Sequence, residues 1–223
     1  MGLFITLEGI EGAGKSTLRT SLAELCNAKE REVVVTREPG ATPLGQHLRT
    51  LLLDPSLPAI TATAELLLFS ADRAQHVEEV IKPALARNAI VICDRYVHST
   101  LAYQGYGRGL ALEHLRQLTE ITTGGLMPDL VLLLDLEPSV GLTRARERER
   151  RASGSFKTLQ QSAASGSVPE WNRFEQEELA FHTRVRDGFR ALAANDSRIL
   201  LLDAAQSPAA VLAAAQKAVL ERM

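Results

Sequence analysis

Residues 9–16 read Gly9-Ile10-Glu11-Gly12-Ala13-Gly14-Lys15-Ser16, and no other stretch of this 223-residue chain limits its fold so tightly. The run fits G-x-x-x-x-G-K-[ST] at every fixed position, follows the apolar stretch Leu3–Glu8, and leads into a helix-forming run from Thr17. Strand, glycine-rich turn and helix in that order make a phosphate-binding loop, the P-loop. Its glycines let successive backbone N–H groups converge on one anion, and the helix N-terminus adds positive potential. On this reading Gly9, Ile10, Glu11, Gly12, Ala13, Gly14, Lys15, Ser16 and Thr17 surround the phosphates of a nucleoside triphosphate; the motif alone does not say which one. Lys15 holds the β- and γ-phosphates, and the Ser16 hydroxyl ligates Mg²⁺.

Further apolar runs occur at Glu32–Arg37, Ala89–Asp94, Leu130–Leu136 and Arg198–Asp203. Ile90-Val91-Ile92, Val131–Leu134 and Ile199–Leu202 are apolar throughout, as strands covered on both faces should be. Between them lie segments such as Thr61–Arg87 and Glu170–Ala194, rich in Ala, Leu, Glu and Arg at helical spacing. This alternation predicts an α/β chain with the three-layer P-loop NTPase fold: a five-stranded parallel sheet flanked by helices, in one domain spanning 1–223. Ligands in such sheets bind at the carboxyl ends of the strands. Ala152–Pro169 departs from the pattern, being small and polar, and reads as a mobile loop.

Composition narrows the function classes. A formal net charge of −2 argues against a nucleic-acid coat or a membrane-surface protein, which carry a basic excess. Cys26 and Cys93 lie far apart without Cys or His companions, so neither a disulfide framework nor a zinc site is expected, and a reduced, cytoplasmic protein is the default. The N-terminus reads as a strand rather than a leader, and no apolar run reaches the length of a membrane span.

Two strand ends carry further phosphate chemistry: Thr36-Arg37-Glu38-Pro39-Gly40 and Asp94-Arg95-Tyr96. A guanidinium fork suits a phosphate, and two of them beside a P-loop suggest a second phosphorylated substrate. Asp94 fits a carboxylate that holds Mg²⁺ directly or through water.

The set GIEGAGKS, TREPG, LLLFSADRAQH, DRYVHSTLAYQG and PDLVLLLDL closely resembles the thymidylate kinases, in that family's order over nearly the whole chain. The resemblance implies ATP as donor with Mg²⁺, dTMP as acceptor, a 2-3-1-4-5 strand order and a homodimer. It places Phe69 against the thymine ring and Arg73, four residues on, at a thymine carbonyl. Gln104 then lies against the base, Tyr103 fills the space of a ribose 2′-hydroxyl, and Glu11 accepts from the 3′-hydroxyl. Arg37, Arg95 and Thr100 complete the acceptor set. The resemblance also implies a LID insertion at about 144–173, whose arginines close over ATP.

Arg144, Arg148 and Arg151 share one helix face; composition alone reads that face as solvated and laced with Glu–Arg pairs. Downstream, Asn172-Arg173-Phe174-Glu175 stands where the family carries an Asp-Arg-x-x-Glu element, with Asn in place of Asp. Gly12 stands where some members carry an arginine, so the γ-phosphate charge falls to the LID, to Arg148 or to Arg173. The expected catalytic set is Lys15, Arg95 and one of these two, with no protein base, because the acceptor oxygen is already anionic. The rivals are another nucleotide kinase, a GTPase switch or a DNA-associated ATPase. No guanine-reading Asn-Lys-x-Asp follows the strand at 130–136, which disfavours the GTPase.

Overall fold

The computed structural model describes residues 2–156 and 173–223. Its strands are β1 (Leu3–Glu8), β2 (Val33–Arg37), β3 (Ile90–Asp94), β4 (Leu130–Asp135) and β5 (Ile199–Asp203). All pairings are parallel, and the sheet runs β2-β3-β1-β4-β5, the expected order. The apolar runs are continuous because the sheet is covered on both faces. On β1, Ile5 and Leu7 join one core with Leu18, Leu22 and Leu132, while Phe4 joins a second with Val77, Ile81 and Val91. Leu7 pairs with Asp94, and Asp94 with Arg37, so the carboxyl ends of β1, β3 and β2 stand side by side.

The helices are α1 (Lys15–Asn27), α2 (Pro43–Leu53), α3 (Ala62–His76), α4 (Lys82–Ala86), α5 (Val97–Thr100), α6 (Leu112–Thr123), α7 (Pro138–Phe156), α8 (Leu179–Ala193) and α9 (Pro208–Leu220). Caps set several of their starts. The hydroxyls of Thr42, Thr61 and Ser207 accept from the N–H three residues on, satisfying a donor the helix itself cannot. The helical stretch expected over Thr61–Arg87 is interrupted by a π-helical turn at Val77–Ile81. A second π-helical turn, Leu101–Gly107, extends α5 and carries Tyr103 and Gln104. Hydrophobic spacing does not signal either one, because a single wide turn leaves the apolar period nearly unchanged.

The loop expected at Ala152–Pro169 begins too early. α7 continues to Phe156, since each added residue of a formed helix gains a hydrogen bond without a new nucleation cost. The rest of that stretch, 157–169, lies outside the described residues. Among the described residues, no helix is long and apolar enough to cross a membrane.

α8 holds the second π-helical turn in place through two close approaches. A Cβ on Gly107 would lie 2.7 Å from the Phe181 ring, and one on Gly188 would lie 2.5 Å from the root of the Tyr106 ring. Gly188→Ala therefore sets a helix-propensity gain of about 1 kcal/mol against overpacking of about 1–3 kcal/mol. Because the clash is at the base of the ring, which cannot swing aside cheaply, we expect net destabilisation in urea unfolding. A gain in stability would mean that the α8 contact is loose.

Candidate active site

The strand ends and the loop after β1 enclose a cleft of about 420 Å³. The loop is shaped by backbone crowding. Gly12 has φ of +72°, and a Cβ there would sit 2.1 Å from the Gly141 carbonyl oxygen in the first turn of α7. A side chain at residue 12 is thus excluded as well as absent. Lys15 opens α1, and its Nζ donates to the carbonyls of Gly9 (2.9 Å) and Ile10 (2.7 Å). Burial, with help from Arg95, pushes its ammonium down to about 8 against the partial support of Asp94, Glu11 and Glu8. Ser16 and Thr17 are exposed and line the cleft.

Glu11 faces a ring of donors. Arg95 Nη2 donates to its Oε1 at 2.8 Å, and the Tyr103 hydroxyl lies 2.8 Å from both carboxylate oxygens. His182 Nδ1 stands at 3.5 Å, within ion-pair range but without a hydrogen bond. Burial alone would raise the Glu11 carboxyl, but Arg95, His182 and Lys15 hold it well below the usual carboxylate range. Burial and the Glu11 charge push the Tyr103 phenol well up, which keeps it a donor. Arg95 also donates to the Gly9 carbonyl (3.1 Å) and lies 4.9 Å over the Tyr103 ring. Its φ is +71°, an uncommon conformation for a residue with a side chain, and its backbone N–H is tied to the Leu7 carbonyl.

On the opposite wall, Arg37 lines the cleft from the end of β2. Phe69 and Arg73 do so together from one face of α3. Arg73 is 2% exposed; its Nε donates to Glu38 Oε2 (2.8 Å) and its Nη2 to Thr100 Oγ1 (2.9 Å). Gln104 turns its amide to Glu65 Oε1 at 2.8 Å. Phe174, from a 3₁₀ turn at Arg173–Gln176, meets Phe69 and Tyr103 at ring-centroid distances of 6.0 and 5.7 Å.

The two LID candidates separate. Arg148 lines the cleft, as does Arg144, and its Nη2 donates to Glu175 Oε1 at 3.0 Å. Arg173 does not line the cleft. Its Nη2 donates instead to Glu65 Oε2 at 2.8 Å, because that carboxylate is fully buried and needs donors. Arg108 binds the same carboxylate through Nε and Nη2. The reading of Arg173 as a γ-phosphate ligand thus meets a structural competitor that the sequence does not reveal. Asn172 lies outside the described residues.

Several site residues escaped sequence reasoning. Arg49 of α2 lines the cleft and donates to the Pro39 carbonyl; burial and the neighbouring Arg37 push its guanidinium down to about 10. Glu8 accepts from the Tyr96 N–H (2.8 Å) and the Ser99 hydroxyl (2.5 Å), and burial raises its carboxyl to about 7. Glu38 and Glu65 anchor arginines. One signal was available: residues 65, 69, 73 and 76 recur at helical spacing, so Glu65 and His76 share the α3 face of Phe69 and Arg73.

For a hard cation the cleft offers the Ser16 hydroxyl and the Asp94 carboxylate, which Arg19 meets at 3.5 Å. Two oxygen donors that leave the remaining positions to phosphates and water suit Mg²⁺.

Comparison with known proteins gives a consistent result. The thymidylate kinase family profile matches residues 7–215. A thymidylate kinase from Desulfovibrio desulfuricans is 50% identical over 218 residues, covering 97% of this chain and 94% of its own. One from Solidesulfovibrio magneticus is 50% identical, covering 94% of each. The crystal structure of thymidylate kinase from Ehrlichia chaffeensis superposes with a TM-score of 0.72 at 31% identity, covering 98% of both chains. With a P-loop and a second set of arginines facing one cleft, and relatives matching almost end to end, the chain belongs to the thymidylate kinase family.

Proposed function

We propose that this cleft transfers the γ-phosphate of ATP to dTMP, giving dTDP, with donor and acceptor phosphates held in line. The observation that carries the reading is the shared cavity: the P-loop and Lys15 line it together with Arg37, Arg95, Phe69 and Arg73. In this assignment the P-loop amides and Lys15 hold the ATP phosphates. Arg37, Arg49 and Arg95 hold the dTMP phosphate, and Phe69 stacks on the thymine. Stacking of this kind contributes about 1–3 kcal/mol per base. Arg73, a donor only, suits a thymine carbonyl and opposes a cytosine amino group. With its amide turned to Glu65, Gln104 offers its oxygen to an incoming base. Tyr103 forms a wall beside the deoxyribose, and Glu11 accepts from the 3′-hydroxyl.

Ser16 and Asp94 would hold Mg²⁺, which would supply charge neutralisation to the phosphates. The acceptor oxygen arrives anionic, so no side chain needs to remove a proton. Catalysis is positioning plus electrostatic stabilisation. The same reading extends to one domain with a LID at about 144–173, a homodimer and a cytoplasmic location, all supported by family membership.

The direct test is a coupled assay of ADP release with Mg·ATP against a panel of nucleoside monophosphates. dTMP should be phosphorylated far faster than CMP, AMP or GMP, and equal rates with CMP would sink the thymine assignment.

Arg148→Ala should lower single-turnover rates by roughly 10³-fold, the scale for a transition-state arginine, with little change in the KM for dTMP. Arg173→Ala should act chiefly on stability and acceptor KM, since it leaves the buried Glu65 short of a donor. Near-normal rates for Arg148→Ala would place the γ-phosphate cation elsewhere.

ATP affinity should also respond to Lys15. Phosphate binding needs the ammonium, which in the free protein is lost as pH rises through about 8. Affinity should therefore be flat below that pH. Above it, affinity should fall by up to about tenfold per unit until the higher pKa of the bound state is reached. Calorimetric titration across this range checks it; a flat profile to pH 10 would show that no phosphate-binding ammonium is lost near pH 8.

A further inference from the structure

Arg73 belongs to a chain of bonds that extends well beyond the cleft. Its Nε and Glu38 Oε2 are 2.8 Å apart; Glu38 Oε1 and His76 Nδ1, 2.9 Å; His76 Nε2 and Thr36 Oγ1, 2.7 Å. On the other side Arg73 Nη2 donates to Thr100, and the guanidinium lies 5.3 Å over the Tyr96 ring. Every polar member of the chain is buried, His76 completely. Two spacings build it. Thr36 and Glu38 are two apart at the end of β2, and Arg73 and His76 are three apart on α3, so an edge of the sheet meets one helix face.

Glu38, paired with Arg73, can only accept, so His76 Nδ1 carries the proton and Nε2 meets the Thr36 hydroxyl. An imidazole holds these two contacts at a fixed angle, which a flexible side chain would not. The carboxylate is thereby stopped from rotating, and Arg73, bound through Nε, is stopped with it. Glu38, Arg73 and Thr100 line the cleft, whereas Thr36 and His76 do not.

We propose that His76 is a specificity-determining positioning residue: through Glu38 it fixes the guanidinium plane of Arg73 against the acceptor base without touching substrate. The proposal rests on Arg73 as the base reader, and its range of action is narrow. Loosening the chain should weaken recognition of the base and leave the ATP half of the cleft alone.

A double-mutant cycle tests this on the full chain, reading KM for dTMP and for ATP separately. His76→Leu should raise the dTMP KM by about tenfold, the equivalent of one charge-assisted hydrogen bond, with the ATP KM unchanged. His76→Asn, which keeps a donor near the Nδ1 position, should restore most of the loss. In an Arg73→Ala background, His76→Leu should add nothing further, because its only route to the base has gone. Thr36→Val gives a second, milder break of the same chain should His76→Leu fail to fold; it should shift the dTMP KM in the same direction. Additive effects of Arg73→Ala and His76→Leu, or an equal loss for ATP, would overturn the proposal. If Arg73→Ala alone left the dTMP KM unchanged, the base-reading assignment itself would fall, and the proposal with it.

Discussion

Glu11 lies in the bend of the phosphate loop, with Arg95 at 2.8 Å and the Tyr103 hydroxyl on both its oxygens. A carboxylate in a phosphate cradle repels what the cradle exists to hold, so the surrounding geometry must answer that charge. Arg95 does so at the cost of a left-handed backbone, and it ties down the Gly9 carbonyl in the same motion. Tyr103 reaches Glu11 only because a π-helical turn places it there, and that turn is braced by α8 through Gly107 and Gly188. Loop, strand end and distant helix are thus linked through one buried charge. Breaking such a pair by removing one partner strands the other, which is far more costly than the net worth of the contact.

In and beside the cleft this scheme of buried acids holding arginines recurs. Glu38 holds Arg73, Glu65 holds Arg108 and Arg173, and Glu11 holds Arg95. Arg73, anchored through Nε and Nη2 and lining the cleft, loses less freedom when it meets a substrate, because the ordering is done during folding. A net charge of −2 is compatible with an anion-binding cleft for the same reason: the positive groups are gathered locally and set in place by paired acids.

The sheet was legible because its strands are covered on both faces, which leaves runs such as Val131–Leu134 with no polar interruption. The P-loop was legible because its spacing is itself the chemistry. Buried acids were not legible: in sequence, Glu65 inside a leucine-rich helix looks the same as a solvated glutamate, and only the fold brings Arg173 to it from 108 residues away. The early end assigned to α7 has a similar origin. Ala152 and the residues after it are small and polar, as in a loop, but a helix already under way continues through them to Phe156.

Gly12 and Gly141 meet backbone to backbone. A Cβ on the first would reach 2.1 Å from the carbonyl oxygen of the second, and one on the second would come 2.5 Å from the Glu11 carbonyl oxygen. α7 therefore starts its course in contact with the phosphate loop and carries Arg144 and Arg148 away from that point along its length. Any tilt of α7 turns about a point fixed to the loop, so a few degrees at the glycine pair sweep the arginines through a distance set by the length of the arm. Lengthening or shortening that arm by one residue would rotate Arg148 by about 100° around the helix axis, so the interval between residues 141 and 148 is as much a part of the site as the arginine itself.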